Sequence, residues 1–161
     1  MPPITAIVHI RNDAARLGRT LESLRPCDEI LIVDHGSTDD SLRIAREYGA
    51  VVRSADHGAS SGSYVATARN DWILCVLPSE IVTEGLEASL YEWKLQSLGE
   101  VENISACSVV VKEEVRGNWS NGGPSTRLVP KRWTLWDGEL PLHHEGSVLL
   151  PGDLLRFRTP E

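Results

Sequence analysis

Four short apolar runs limit what this chain can fold into. Ile4 to Ile10 (ITAIVHI), Ile30 to Val33 (ILIV), Trp72 to Leu77 (WILCVL) and Ile104 to Val111 (ISACSVVV) have the length and continuity of strands buried on both faces. Helical patterns separate the first three. Ala14, Leu17, Leu21 and Leu24 fall on one helix face behind Asn12 or Asp13, either of which can cap it, and Pro26 ends the segment. Ser37 or Thr38 can start a second helix carrying Leu42, Ala45 and Tyr48, closed by Gly49. Ala50 to Arg53 reads as a third short strand, and Thr83 to Leu98 as a helix with Leu86, Leu90 and Trp93 on one stripe. Strand–helix alternation of this kind predicts an α/β protein: a three-layer α/β/α sandwich on a mostly parallel sheet with right-handed crossovers.

The remaining segments are less regular. Residues 54–63 (SADHGASSGS) are small, polar and glycine-rich and read as a loop, with a helical turn or two over Tyr64 to Arg69. Gly117 to Pro124 reads as loop and Ser125 to Val129 as an edge strand, so the last sixty residues should add mixed strands and loops. At 161 residues and 41% hydrophobic content, the expected organisation is one domain over 1–161. A net charge of -7 argues against a general binder of phosphate backbones, so no nucleic-acid partner is expected. Cys27, Cys75 and Cys107 are an odd set at wide spacing, best read as free thiols in a reducing compartment. No apolar run reaches the length of a membrane span and no secretory leader opens the sequence, which points to a cytoplasmic protein.

In α/β folds the chemistry gathers just past the carboxyl ends of the strands. Asp34 stands at such an end, where a carboxylate can accept hydrogen bonds from a base N–H or ribose hydroxyls. Gly36 permits a sharp turn behind it, and Ser37 starts a helix. The same Gly-Ser-Thr-Asp-Asp run is also simply a good helix start, its acids favourable to the helix dipole. Arg11-Asn12-Asp13 follows the neighbouring strand and tips the balance towards nucleotide binding. The Trp72–Leu77 strand, by contrast, ends in Leu77-Pro78-Ser79, none of which can carry a charge, before Glu80.

The order of these segments resembles a known family. ITAIVHIRND, LGRTLESLRPCDEILIVDHGSTDD, DWIL, Arg127-Leu128, Trp136-Asp137-Gly138 and His144-Glu145 are similar to family-2 glycosyltransferases of the GT-A fold, in particular the bacterial branch of lipopolysaccharide-core glucosyltransferases. The resemblance implies an inverting transfer from a nucleotide-diphospho-sugar, a UDP-sugar foremost, to an unknown acceptor hydroxyl. It implies a nucleotide-binding half over 1–100 and a shortened acceptor-side half over 101–161. Arg11, Asn12, Asp13, Asp34, Gly36 and Ser37 would line the nucleoside pocket, and His144 or Glu145 would take the acceptor's proton. Where the family carries metal-holding aspartates after DWIL, this chain has Leu77-Pro78-Ser79 and retains only Glu80. A hard cation needs several oxygen ligands, so no metal is expected there.

Three readings follow. Side chains could neutralise the diphosphate in place of metal, with Arg69, Arg127, Lys131 and Arg132 as candidates and Arg69, Glu80 and Arg127 forming the donor side. Mg²⁺ or Mn²⁺ would enter only through a different site, for which Glu80, His144 and Glu145 are candidates. Alternatively the domain no longer catalyses and binds a nucleotide, a sugar or a protein. A homodimer could complete the site. A nucleotidyltransferase would want a glycine-rich basic loop after the first strand, which Arg11-Asn12-Asp13-Ala14-Ala15 does not provide. Trp119, Trp133 and Trp136 could stack on sugars or pack an irregular subdomain.

Overall fold

The computed structural model describes residues 2–96, 98–101 and 104–158. In chain order its elements are β1 (Ile4–Ile10), α1 (Ala14–Glu22), β2 (Glu29–Asp34), α2 (Ser41–Glu47), β3 (Val51–Ser54), α3 (Ser61–Val65), β4 (Trp72–Cys75), β5 (Glu80–Val82), α4 (Glu84–Lys94), α5 (Leu98–Val101), β6 (Cys107–Val115), β7 (Asn118–Pro130), β8 (Trp136–Asp137), β9 (Leu140–Pro141) and β10 (Val148–Phe157).

Eight strands form one sheet in the order β3-β2-β1-β4-β7-β6-β10-β5. The expected parallel sheet occupies its first half, where β1 pairs in parallel with β2 and β4, and β2 with β3. Beyond β4 the sheet is mixed. β7 runs antiparallel to both β4 and β6, β6 pairs in parallel with β10, and β5 closes the far edge antiparallel to β10.

Strand periodicity divides the core between the two faces. Ile4, Ala6, Val8 and Ile10 face one side with Leu17, Leu21 and Leu24, Ala45, and Leu86, Leu90 and Trp93, so α1, α2 and α4 share that face. Burying each of these large side chains is worth about 1.5–3 kcal/mol. Ile7 and Ile73 face the other side, which is covered by Tyr64, Val65 and Ala68, with Trp133, Trp136 and Leu140 packed against them. That layer is therefore one short helix and the β8–β9 ribbon.

Several boundaries differ from the sequence reading. The first helix starts as expected, but Asp13 makes no capping bond to it; its carboxylate accepts instead from the Arg11 N–H and the Arg16 guanidinium. The second helix begins at Ser41, because Ser37 and Thr38 are engaged in a turn against Asn12. The helix expected over Thr83 to Leu98 ends at Lys94; Ser97 lies outside the described residues, and Leu98–Val101 forms a separate turn.

Gly117 to Pro124 is not a loop. A two-residue turn at Arg116 (φ 52°) and Gly117 (φ 82°) joins β6 to β7, and the pairing runs from Val115 opposite Asn118 back to Cys107 opposite Leu128. Ser125 to Val129 is consequently interior, with β4 on one side and β6 on the other. Cys75 and Cys107 are buried, Cys27 is partly so, and all three are free thiols; burial pushes each up to about 12. Among the described residues no helix is long and apolar enough to cross a membrane.

Candidate functional site

From β1 the chain winds outward through β2 and β3, then returns to place β4 on the other side of β1. The carboxyl ends of β1 and β4 thus flank a topological switch point, the place where open α/β sheets leave a crevice. A cavity of about 410 Å³ lies there, lined by His9, Ile10, Arg11, Asp13, Arg16, His35, Leu77, Pro78, Ser79 and Glu139. A second, of about 500 Å³, shares His9, His35 and Glu139 and extends under Asp56 to Ser61, Tyr64, Trp136 and Gly138.

The two strand-end turns are tied to each other. Asn12 takes a positive φ of 53°; its N–H donates to Ser37 Oγ (3.0 Å) and its Oδ1 accepts from the Thr38 N–H (2.7 Å). The Asp13 N–H donates to buried Ser41 Oγ (2.9 Å), and the Ala14 N–H to Asp39 Oδ2 (3.1 Å). Asp34 is buried at the end of β2, where its Oδ1 accepts from the Ser37 N–H (3.1 Å), while Gly36 turns the chain at φ 86°. Arg11, Asn12, Asp13, Asp34, Gly36 and Ser37 are therefore brought together. Of these six, Arg11 and Asp13 line the first cavity, whereas Asp34 lies on the wall of neither one described.

The expected donor-side residues are separated. Arg69 is exposed and precedes β4, and its backbone N–H donates to Glu29 Oε1 (2.8 Å) at the start of β2. In a parallel array the residue before a strand lies at the amino end, opposite the cavity. Lys131 shares that end, its Nζ donating to the Ala68 carbonyl (2.7 Å).

Arg127 and Glu80 are both 0% exposed and bonded to each other, Nη1 to Oε1 at 2.6 Å and Nη2 to Oε2 at 2.7 Å. Neither faces the cavity; instead they hold its floor. Glu80 Oε1 also accepts from the Leu77 N–H (2.7 Å) and its Oε2 from Arg156 Nε (3.1 Å), while the Thr20 hydroxyl reaches the Pro78 and Glu80 carbonyls (2.9 and 2.7 Å). Burial alone would raise the Glu80 carboxyl, but its bonds to Arg127, Leu77 and Arg156 outweigh that and hold it below the usual range. Leu77-Pro78-Ser79 is thus a clamped turn without a carboxylate. The residues present do not fit a hard cation at that turn.

His144 and Glu145 sit in the turn before β10, outside the linings of both cavities. The His144 N–H donates to Thr126 Oγ1 (2.9 Å), and its ring meets Trp133 edge-on at 5.8 Å. Glu80 is enclosed elsewhere, so Glu80, His144 and Glu145 do not form a shared centre. Trp136 lines the second cavity, Trp133 packs in the core beneath it, and Trp119 stands half exposed against Phe157.

Sequence reasoning missed a cluster on the wall common to both cavities. His9, on β1, is 6% exposed, and its Nδ1 lies 2.9 Å from Nε2 of His35, the first residue beyond β2. Glu139 Oε1, from the β8–β9 turn, is 3.9 Å from the same His35 nitrogen. His9 Nε2 is buried without a hydrogen-bond partner. Burial and the neighbouring His35 push His9 down to about 4, so its ring is neutral at neutral pH. The strand-end rule would have pointed to both histidines; Glu139 depends on the β8–β9 fold.

Residues 5–76 match the sequence model of Glycosyl transferase family 2. An uncharacterized glycosyltransferase of Rickettsia felis is 33% identical over 91 residues, 54% of this chain and 32% of that protein. The lipopolysaccharide core biosynthesis glycosyltransferase LpsC of Rhizobium meliloti is 44% identical over 46 residues, 29% of this chain and 17% of its own length. The match thus spans a third or less of these relatives. Among solved structures, a mycobacterial protein superposes with a TM-score of 0.61 at 15% identity, over 97% of this chain and 65% of that one. Glucosyl-3-phosphoglycerate synthase from Mycobacterium tuberculosis, in complex with Mn²⁺, UDP-glucose and phosphoglyceric acid, superposes with a TM-score of 0.50 at 18% identity, over 69% of this chain and 44% of that one. These likenesses are of fold, and the fold is that of the GT-A glycosyltransferases. Residues 5–76 thus carry the sequence pattern of glycosyl transferase family 2, on a sheet of the GT-A fold.

Proposed function

We propose that this chain binds a nucleotide-diphospho-sugar of the UDP class at the switch-point cavity and passes the sugar, with inversion, to an acceptor hydroxyl. The observation that carries the reading is the cavity itself. It lies where an α/β sheet takes ligands, it is walled by Arg11 and Arg16, and it belongs to a segment with the pattern of a glycosyl transferase family. The UDP-glucose held by the mycobacterial synthase on a similar fold supports the choice of donor class. In this reading residues 1–161 act as one domain, with 1–100 binding the nucleotide and 101–161 facing the acceptor, and the protein works in the cytoplasm.

In the transfer, an acceptor oxygen attacks the anomeric carbon, the new C–O bond forms as the bond to the diphosphate breaks, and the nucleotide leaves with that electron pair. The acceptor's proton passes to a base, for which His144 and Glu145 remain the candidates by resemblance. Arg11 supplies the positive charge that a departing diphosphate needs, by charge-assisted hydrogen bonds. Arg16 is partly spent on Asp13 (2.9 Å). A second reading, a binding domain without catalysis, is favoured by Leu77-Pro78-Ser79, which offers no carboxylate beside the cavity.

Calorimetric titration of UDP and UDP-glucose into the protein tests the first reading. Binding is expected, and Arg11→Ala should weaken it roughly tenfold, the loss of one hydrogen bond to a charged group. No binding of either nucleotide at millimolar concentration would contradict the reading. Turnover that Glu145→Ala abolishes would separate catalyst from binder.

A further inference from the structure

We propose that His9, His35 and Glu139 form a binding site for one divalent transition-metal ion of the zinc type, distinct from the carboxylate site that the fold family implies after β4. The proposal stands whether or not a nucleotide sugar is the substrate.

Three observations converge on it. One ligand atom from each side chain lies within 4.8 Å of the other two. Two atoms bound tetrahedrally to zinc at roughly 2.0–2.1 Å are ~3.3 Å apart, and the His9–His35 and His35–Glu139 separations of 2.9 and 3.9 Å bracket that value. Glu139 is exposed and can close the longer gap by a side-chain movement, whereas His9 is fixed in β1.

The second observation is that His9 packs edge-on against Tyr64 (5.7 Å) but its ring nitrogens are poorly provided for. The described hydrogen bonds of His9 include none from its ring to the backbone: Nδ1 meets His35, and Nε2 is buried without a partner. The two imidazoles meet nitrogen to nitrogen at 2.9 Å, a contact that needs one shared proton. A cation taking the place of that proton gives both lone pairs a shared partner.

The third is the setting. The cluster forms the wall common to two cavities, so three protein ligands would leave a coordination position open to small molecules, the arrangement of catalytic rather than structural zinc. Arg16, which lines the first cavity, is paired with Asp13. Two nitrogens and one carboxylate select a borderline ion over Mg²⁺ or Ca²⁺, which want oxygen ligands. Across the first cavity stand Leu77, Pro78 and Ser79. An ion at His9 would return positive charge to the pocket from a different wall.

The experiment is calorimetric titration of the chelator-stripped protein with ZnCl₂, without nucleotide, alongside CoCl₂ titration followed by visible ligand-field absorption. One zinc per chain is expected. His35→Ala and Glu139→Ala should each weaken it about tenfold or more, and both should change the cobalt spectrum. These two positions are part-exposed or exposed, and circular dichroism checks that the variants are folded. His143→Ala, outside the cluster, should leave zinc affinity unchanged. Failure of the wild type to bind zinc, equal affinity in the two cluster variants, or a preference for Mg²⁺ over Zn²⁺ would overturn the proposal. Because no nucleotide is present, none of these outcomes bears on UDP binding.

Discussion

At the scale of single residues, the most consequential pair is Glu80 with Arg127. Both are fully enclosed and carry opposite charge, joined by two short hydrogen bonds. Removing one partner of such a pair leaves an uncompensated buried charge, at a cost of about 3–5 kcal/mol. Glu80→Gln and Arg127→Met should each lose that much in urea unfolding, while the double replacement Glu80→Leu with Arg127→Met should recover part of it. The carboxyl is held below its ordinary value, so its contribution is complete above the ordinary range and drains away as pH falls through the lower, folded value. Unfolding midpoints measured between neutral and strongly acidic pH should show a decline in the wild type that is shallower in Glu80→Gln. This pair also shows what the sequence could not convey. Read in isolation, Arg127 is a cation near a phosphate site and Glu80 a surviving acid; only the pairing of β7 beside β4 reveals that each neutralises the other.

Among the elements, α4 and β10 depend on one another through Gly152. At φ 99° it sits in the irregularity that interrupts the β6–β10 register between Leu149 and Asp153. A Cβ there would meet backbone of Gly85 and Leu86 at the start of α4. Thr83 Oγ1 and Ser89 Oγ donate to the carbonyls of Asp153 and Pro151 (both 2.6 Å), fastening the helix over the bulge. Gly152→Ala combines a left-handed backbone with overpacking and should destabilise by about 3 kcal/mol or more, visible as a lowered thermal midpoint. The parallel strands and amphipathic helices were legible because their signals are local: unbroken apolar runs and leucines at helical spacing. β7 was not. Its Asn, Gly and Pro imitate a loop, and its outer half is a largely exposed ribbon without an apolar face, held by the turn at Arg116-Gly117 and by β6.

For the whole molecule, the outward-and-back path of the first four strands decides where a ligand can sit. That path also explains which site residues could be anticipated. Arg11, Asn12, Asp13 and Asp34 follow strands whose carboxyl ends meet, so their convergence is a consequence of the parallel order. Arg69 precedes a strand, and the same order sends it to the opposite end. His144 and Glu145 depend on the path after β9, and nothing local in the sequence says how far from the cavity that path leaves them. The central claim, that a UDP-type ligand occupies the crevice between β1 and β4, is tested most directly by titrating UDP into the ¹⁵N-labelled protein and following backbone amide shifts. The account predicts that the amides of Arg11, Asp13, His35 and Ser79 move together and saturably. Shifts confined to the groove between Arg25 and Tyr91, or to the β6–β7 ribbon, would contradict it.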